Sequence, residues 1–226
     1  MSHTYLNRNT LSSGIISLTV GQDAVPYNAH IELLCDCSPY LDRLLQERYS
    51  DQFTPEIDFP NDDPDIFVDF LIWAYSDTIR DVDPVLANSN TILRLFQIWT
   101  LAGKFEVPVL QERTLTLCRR ILTCQPSYLI IGVEALGHAY EDTECDTSAL
   151  RTLAVEIWIE RATKQELQER KKDLPRGFLE DLSLAWLERR ETPISKSDVQ
   201  LAPLYFSSIQ QLLNVQGQTT AHPSSR

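Results

Sequence analysis

Apolar and polar residues alternate from Ile16 to Val20, with Leu18 between Ser17 and Thr19, which predicts a half-buried β-strand. Gly21-Gln22-Asp23 supplies turn chemistry, so a hairpin into a second strand over 24–28 follows. Ile31, Leu33 and Leu34 then crowd into a short apolar helix. Ser38-Pro39 starts another: serine caps, and proline takes the first helical position, where its missing N–H costs nothing. Residues 56–59 have the length of a further short strand. Asn61-Asp62-Asp63-Pro64 is a strong helix start, with Asp63 as cap, Pro64 in the first position and Asp65 complementing the dipole. Behind it Phe67, Phe70, Leu71, Ala74 and Tyr75 fall at helical spacing and predict one buried face.

Residues 80–89 lack periodicity and carry Pro84, which predicts a loop. Asn90 is expected to cap the next helix, where Ile92, Leu95, Phe96, Trp99, Ala102 and Gly103 share a face. Lys104 to Pro108 breaks that helix and restarts another over 109–122. Beyond a linker at Gln125-Pro126-Ser127 there is no strand signal. Leu150, Leu153, Ala154, Ile157 and Trp158 form one helical stripe, capped in the region of Asp146 to Ser148, and Phe178, Leu182, Ala185 and Trp186 form a second. The charged stretch between them, with Glu166, Glu169, Lys171 and Lys172, suits a solvated helix or surface crossover. Residues 214–226 are polar and rich in Gly, Ser, Thr and Pro, the composition of a disordered tail.

Composition narrows the function classes. A chain of 226 residues with 43% hydrophobic content can bury one sizeable core or two modest ones. No apolar run approaches the roughly 18 to 20 residues needed to span a bilayer. The opening MSHTYLNRNTLSSG has no apolar signal region, so the cytoplasm or nucleus is the expected compartment. The net charge is -12, with 9 basic against 17 acidic residues up to residue 125 and 11 against 15 beyond it. Neither half carries the basic cluster that displaces counterions from phosphate, which argues against nucleic-acid binding.

Five cysteines, Cys35, Cys37, Cys118, Cys124 and Cys145, match neither a zinc ribbon nor a CxxC redox pair, so reduced and mostly buried thiols are expected. The best pairing for a thiol nucleophile is His30 with Cys35 or Cys37. There is no Gly-x-Ser-x-Gly, phosphate-cradling glycine loop or His-Glu-x-x-His, and only seven glycines in all. No catalytic residue, cofactor or metal ligand is expected.

Three stretches resemble the BTB/POZ family. Val20-Gly21, Ala29-His30-Ile31, Leu33-Leu34 and Ser38-Pro39-Tyr40 are similar to its opening. DDPDIFVDFLIWAYSDTI over 62–79 is similar to its central helix, with Asp77 where the family usually has glycine. LAGKFEVPVLQ over 101–111 resembles its most specific segment. Aspartate tolerates left-handed backbone better than most residues, so the turn at Asp77 is expected to survive. The resemblance covers about half of the chain and implies an α+β fold, a small mixed sheet capped by a helical cluster, followed by an all-α extension. Its structural residues would be Gly21, His30, Ser38, Pro39, Phe67, Tyr75 and Phe105. Residues 139–143, 148–151 and 178–182 resemble the helical extension that follows BTB domains in many fungal proteins. The expected layout is a flexible lead over 1–13, a BTB domain over 14–124, a helical extension over 125–213 and the tail.

The resemblance also implies protein partners. BTB domains commonly self-associate through the first helix and an N-terminal strand, and the transcription-factor branch lines the dimer's pocket with an acidic and a basic residue. Here Ile15 and Ile31 stand in those places, so a monomer or a different homodimer is expected. Another subset recruits a cullin scaffold to build a ubiquitin ligase, through an apolar-x-Glu motif ahead of the third strand. The nearest match is Tyr49-x-Asp51, followed by Phe53, which makes Tyr49, Asp51 and Phe53 the candidate partner-binding residues. Aspartate retracts the carboxylate by one methylene, which weakens a directional hydrogen bond. The sequence reading is a non-enzymatic adaptor or scaffold, with a cullin substrate adaptor as its alternative and a thiol-dependent enzyme as the rival from another class.

Overall fold

Burial of Ile16, Leu18 and Val20 turns the alternating stretch into strand β1 (Ile15–Val20), whose polar positions face outward. The computed structural model describes residues 7–49, 56–80, 82–124, 131–141 and 148–191. Ahead of β1 lies a short helix, α1 (Arg8–Ser12), where the sequence predicts a flexible lead. The cause is reciprocal capping: Asn7 accepts from the Thr10 backbone N–H at 3.0 Å, and the Thr10 hydroxyl accepts from the Asn7 N–H at 3.4 Å. Thr10 is fully buried.

Strand β2 (Val25–His30) returns antiparallel to β1, pairing Ala29 with Ile16 and Tyr27 with Leu18. Helices α2 (Ile31–Cys37) and α3 (Pro39–Tyr49) follow, and then β3 (Glu56–Phe59) pairs parallel with β1, Ile57 beside Leu18 and Phe59 beside Val20. The mixed sheet therefore has the order β2-β1-β3. Asp63 caps α4 (Pro64–Ser76) as expected, accepting from Asp65 and Ile66, and Asp77 ends it in the left-handed region at φ 58°. Helix α5 (Ser89–Lys104) is capped by Asn88 and not by Asn90. Asn88 has a reciprocating Thr91 three residues on, whereas Asn90 is already inside the first turn.

After α6 (Pro108–Cys124), the described elements are all helical: α7 (Val133–Tyr140), α8 (Ser148–Arg161), α9 (Lys164–Arg170) and α10 (Arg176–Glu191). The predicted α8 stripe is buried together with Val155, and α9 buries nothing, as its charge pattern implies. Helix α5 packs against both α6 and α7, so the extension shares a unit, Met1–Leu182, with the elements before it. Ser183–Arg226 forms a second unit. The expected stripe on α10 is buried only at Phe178 and Leu182; Trp186 is 52% exposed. The cap region at Asp146 and Thr147, the linker at Gln125-Pro126-Ser127 and the tail over 214–226 lie outside the described residues.

Candidate interaction surface

The motif residues meet around one ring. Phe105 stacks on Tyr40 at 5.8 Å and contacts Phe59, Phe67 and Phe70 at 5.5, 6.0 and 5.0 Å between centroids. Such pairs gain about 0.5–1.5 kcal/mol each beyond area burial. Beside them Lys104 donates to Asp62 at 2.6 Å, joining the segment that precedes α6 to the one that starts α4.

Polar side chains fasten this core at specific points. The buried Ser38 hydroxyl donates to the Phe105 carbonyl at 2.6 Å and accepts from the Leu41 N–H at 3.1 Å. With Pro39 opening α3, it both caps that helix and ties it to the turn between α5 and α6. Arg43 of α3 holds Glu106 in the same turn through a two-pronged contact at 2.6 and 2.9 Å, which keeps the Glu106 carboxyl below its ordinary range. Gly21 sits at φ 77°, and a Cβ there would lie 2.9 Å from Pro64. Asp77 serves in glycine's place because Arg113 of α6 grips its carboxylate. The nearly buried Asp69 is neutralised by Arg80 and Arg94.

The His30 backbone N–H donates to the Tyr75 hydroxyl at 3.1 Å, and its Nδ1 lies 2.8 Å from the same oxygen. The histidine thus fastens the β2–α2 junction to α4. Burial pushes the Cys35 thiol up to about 12, with the hydrogen bond to Asp42 adding to the effect, and burial does the same at Cys37 and Cys118. A thiol, and not the nucleophilic thiolate, is therefore present at these three positions near neutral pH. The geometry assigns His30 to Tyr75 and gives a Cys/His pair at Cys35 or Cys37 no support.

Several large apolar side chains are exposed and offer contact surface. Leu11 of α1 and Ile15 of β1 are 59% and 65% exposed, and Ile31 is half-buried against Gly14. Val85 and Leu86 protrude from the loop before α5. A groove of about 800 Å³ is lined by Ile79 and Val82 and, from α6, by Val109, Leu117 and Arg120 among others. Of the sequence candidates, Tyr49 is the last residue of α3, its side chain undescribed, while Asp51 and Phe53 lie outside the described residues. Leu11 escapes sequence reading because one apolar residue in a polar lead has no periodicity to mark it.

The model of the BTB/POZ domain family matches residues 16–120. That span is a BTB/POZ domain. Its mixed three-stranded sheet with helical cover, and the helices beyond it, are the α+β arrangement with an α-helical extension that the sequence predicts. BTB domains are protein–protein interaction modules, which agrees with motif residues spent on holding the fold. A search of curated proteins finds no match. No helix among the described residues is long and apolar enough to cross a membrane.

Proposed function

We propose that this chain is a non-enzymatic adaptor or scaffold whose BTB domain meets a second copy of itself through the α1–β1 corner. The observation that carries the reading is the pair Leu11 and Ile15, two large apolar side chains more than half exposed on a capped, well-defined corner. With isoleucine at both 15 and 31, the corner lacks a charged pair and favours an apolar contact. Light scattering on the pure protein tests it: a dimer is expected, and Leu11→Glu or Ile15→Glu gives a monomer with unchanged circular dichroism. A monomeric native chain, or a dimer that both variants preserve, rejects the corner.

A second reading is a substrate adaptor of a cullin-based ubiquitin ligase, in which the helical extension, similar to that of many fungal BTB proteins, lengthens the cullin contact or holds the client. Helices α7 and α8, packed in series behind α5 and following directly on the BTB domain, support it. Mixing with cullin and gel filtration decides: a complex weakened by Tyr49→Ala and Asp51→Ala sustains the reading, and no complex removes it. Either role places the protein in the cytoplasm or nucleus.

A further inference from the structure

The loop ahead of α5 carries the two most exposed large apolar side chains among the described residues, Val85 at 69% and Leu86 at 78%. They stand on a closed turn. The Leu86 N–H donates to the Asp83 carbonyl at 3.2 Å, and the Val85 N–H donates to the Asp83 carboxylate at 2.8 Å. Pro84 takes the second position of that turn, where its fixed φ suits the bend. A turn held in this way is ordered before it meets anything, so docking it costs little conformational entropy.

The groove of about 800 Å³ offers the matching hollow, with Ile79, Val82, Val109 and Leu117 as its apolar lining. Val85 and Leu86 are exposed, so neither fills the groove of its own chain. Val82 lies three residues before Val85, which puts the turn within about 11 Å of the groove's lining. A surface that holds knob and hollow side by side can complement itself across a two-fold axis. Charge fits the same pairing. Arg120 lines the groove, is exposed and makes no ion pair among the described residues, whereas Arg113 is held by Asp77. Asp83 presents an exposed carboxylate two residues ahead of Val85. Glu112 also lines the groove, but it is two helical turns from Arg120, about 12 Å along the axis of α6, so an acidic group can meet Arg120 without meeting Glu112.

We infer that two copies of this chain exchange these turns across a two-fold axis: Val85 and Leu86 of each copy enter the groove of the other, and Asp83 of each pairs with Arg120 of the other. Four protruding side chains make a small contact of the weak, transient class, so it forms at higher protein concentration than the corner contact of Leu11 and Ile15. The two contacts share no residue, and used in turn they link dimers in series.

Sedimentation velocity over a concentration series tests the exchange in the full chain carrying Leu11→Glu and Ile15→Glu, where the corner cannot contribute, so failure of the corner reading leaves this test intact. Self-association is expected at the upper end of the series. Adding Val85→Asp and Leu86→Asp, two surface changes, abolishes it, and circular dichroism identifies any variant that has lost its fold. Asp83→Lys alone and Arg120→Glu alone each weaken it roughly tenfold, because like charges then face each other in both halves of the contact. Mixing these two variants restores it: one protomer then brings two positive groups and the other two negative ones, so both halves pair opposite charges. The inference is overturned by a protein that stays monomeric throughout the series, which leaves the groove to a different protein. It is equally overturned by association that survives the Val85 and Leu86 changes, or by a mixture that associates no more strongly than either variant alone.

Discussion

Two regions of the Met1–Leu182 unit each bury a phenylalanine at their centre, but they hold it by different means. In the BTB domain Phe105 lies among four rings, and the chain around it passes through backbone conformations that few residues accept: Gly21 at φ 77°, Asp77 at φ 58° and Glu106 at φ 58°. In the extension Phe178 meets Trp158 at 5.3 Å and Tyr140 at 5.7 Å, and side chains do the fastening. Tyr140 donates to Asp181 at 2.7 Å, the Trp158 Nε1–H donates to the Ile131 carbonyl at 3.1 Å, and Arg151 covers the Tyr140 ring while donating to the Ala139 carbonyl. The first region adds restricted backbone conformations to the side-chain bonds of Ser38, Arg43 and His30, which narrows residue identity. The second is specified by volume and hydrogen bonding, which many sequences satisfy.

The comparison is strained hardest by truncating each centre. Phe105→Ala and Phe178→Ala are each expected to cost about 3–5 kcal/mol in urea denaturation. Because α5 packs on both α6 and α7, each variant shifts one shared transition; two separate transitions would show that the regions unfold independently. Next come the glycines. Gly21→Ala meets both a left-handed backbone and Pro64, and loses about 2–4 kcal/mol. Gly177→Ala brings a methyl 3.0 Å from the Tyr140 ring, a purely steric conflict that helix propensity partly offsets, for a net loss of about 1 kcal/mol. Equal losses at the two positions would dissolve the distinction. Ser38→Ala removes a cap and strands the Phe105 carbonyl, an expected loss of about 2 kcal/mol, which Ser38→Thr tests for steric tolerance.

The smallest effect lies where the regions touch. His138 of α7 places Nε2 2.9 Å from the Thr100 hydroxyl of α5, and burial lowers its pKa below the ordinary histidine range, against the raising influence of Glu141. Protonation is then harder in the folded protein than in the unfolded one. Stability is full above roughly pH 6.5, the unfolded histidine value, and declines as pH falls toward the folded value. Denaturation midpoints taken between pH 7.5 and 5.5 should fall, and His138→Gln should flatten that slope; an unchanged slope assigns the pH response to other groups.

These differences also explain what could be read from the chain alone. Strands β1 and β3, the Asp63 cap and the helices α4 to α6 announce themselves because their signals are local: alternation, a capping side chain, proline in the first turn. Asn88 was hidden by Asn90, two residues away and equally suited by type, since only reciprocation by Thr91 separates them. Helix α1 depends on the same kind of exchange in a stretch with no apolar period. On α10 periodicity continues past Leu182 while burial stops, because what covers a stripe is a tertiary matter. Of the proposed contact surface, Ile15 and Ile31 are legible in the sequence as departures from the family pattern, while Leu11 and the groove beside α6 arise from elements brought together by folding.

The parallel pairing of β1 with β3 has a consequence for synthesis. A chain leaving the ribosome can close the β1–β2 hairpin as soon as His30 emerges, because Gly21 turns it locally. The other edge of β1 must wait for residues 56–59 and for the crossover through α2 and α3. During that interval the central strand of the finished sheet is an edge strand, with Leu18 and Val20 uncovered. The time taken to synthesise residues 31–59 is the least for which that edge of the nascent protein stays open to pairing with the wrong neighbour.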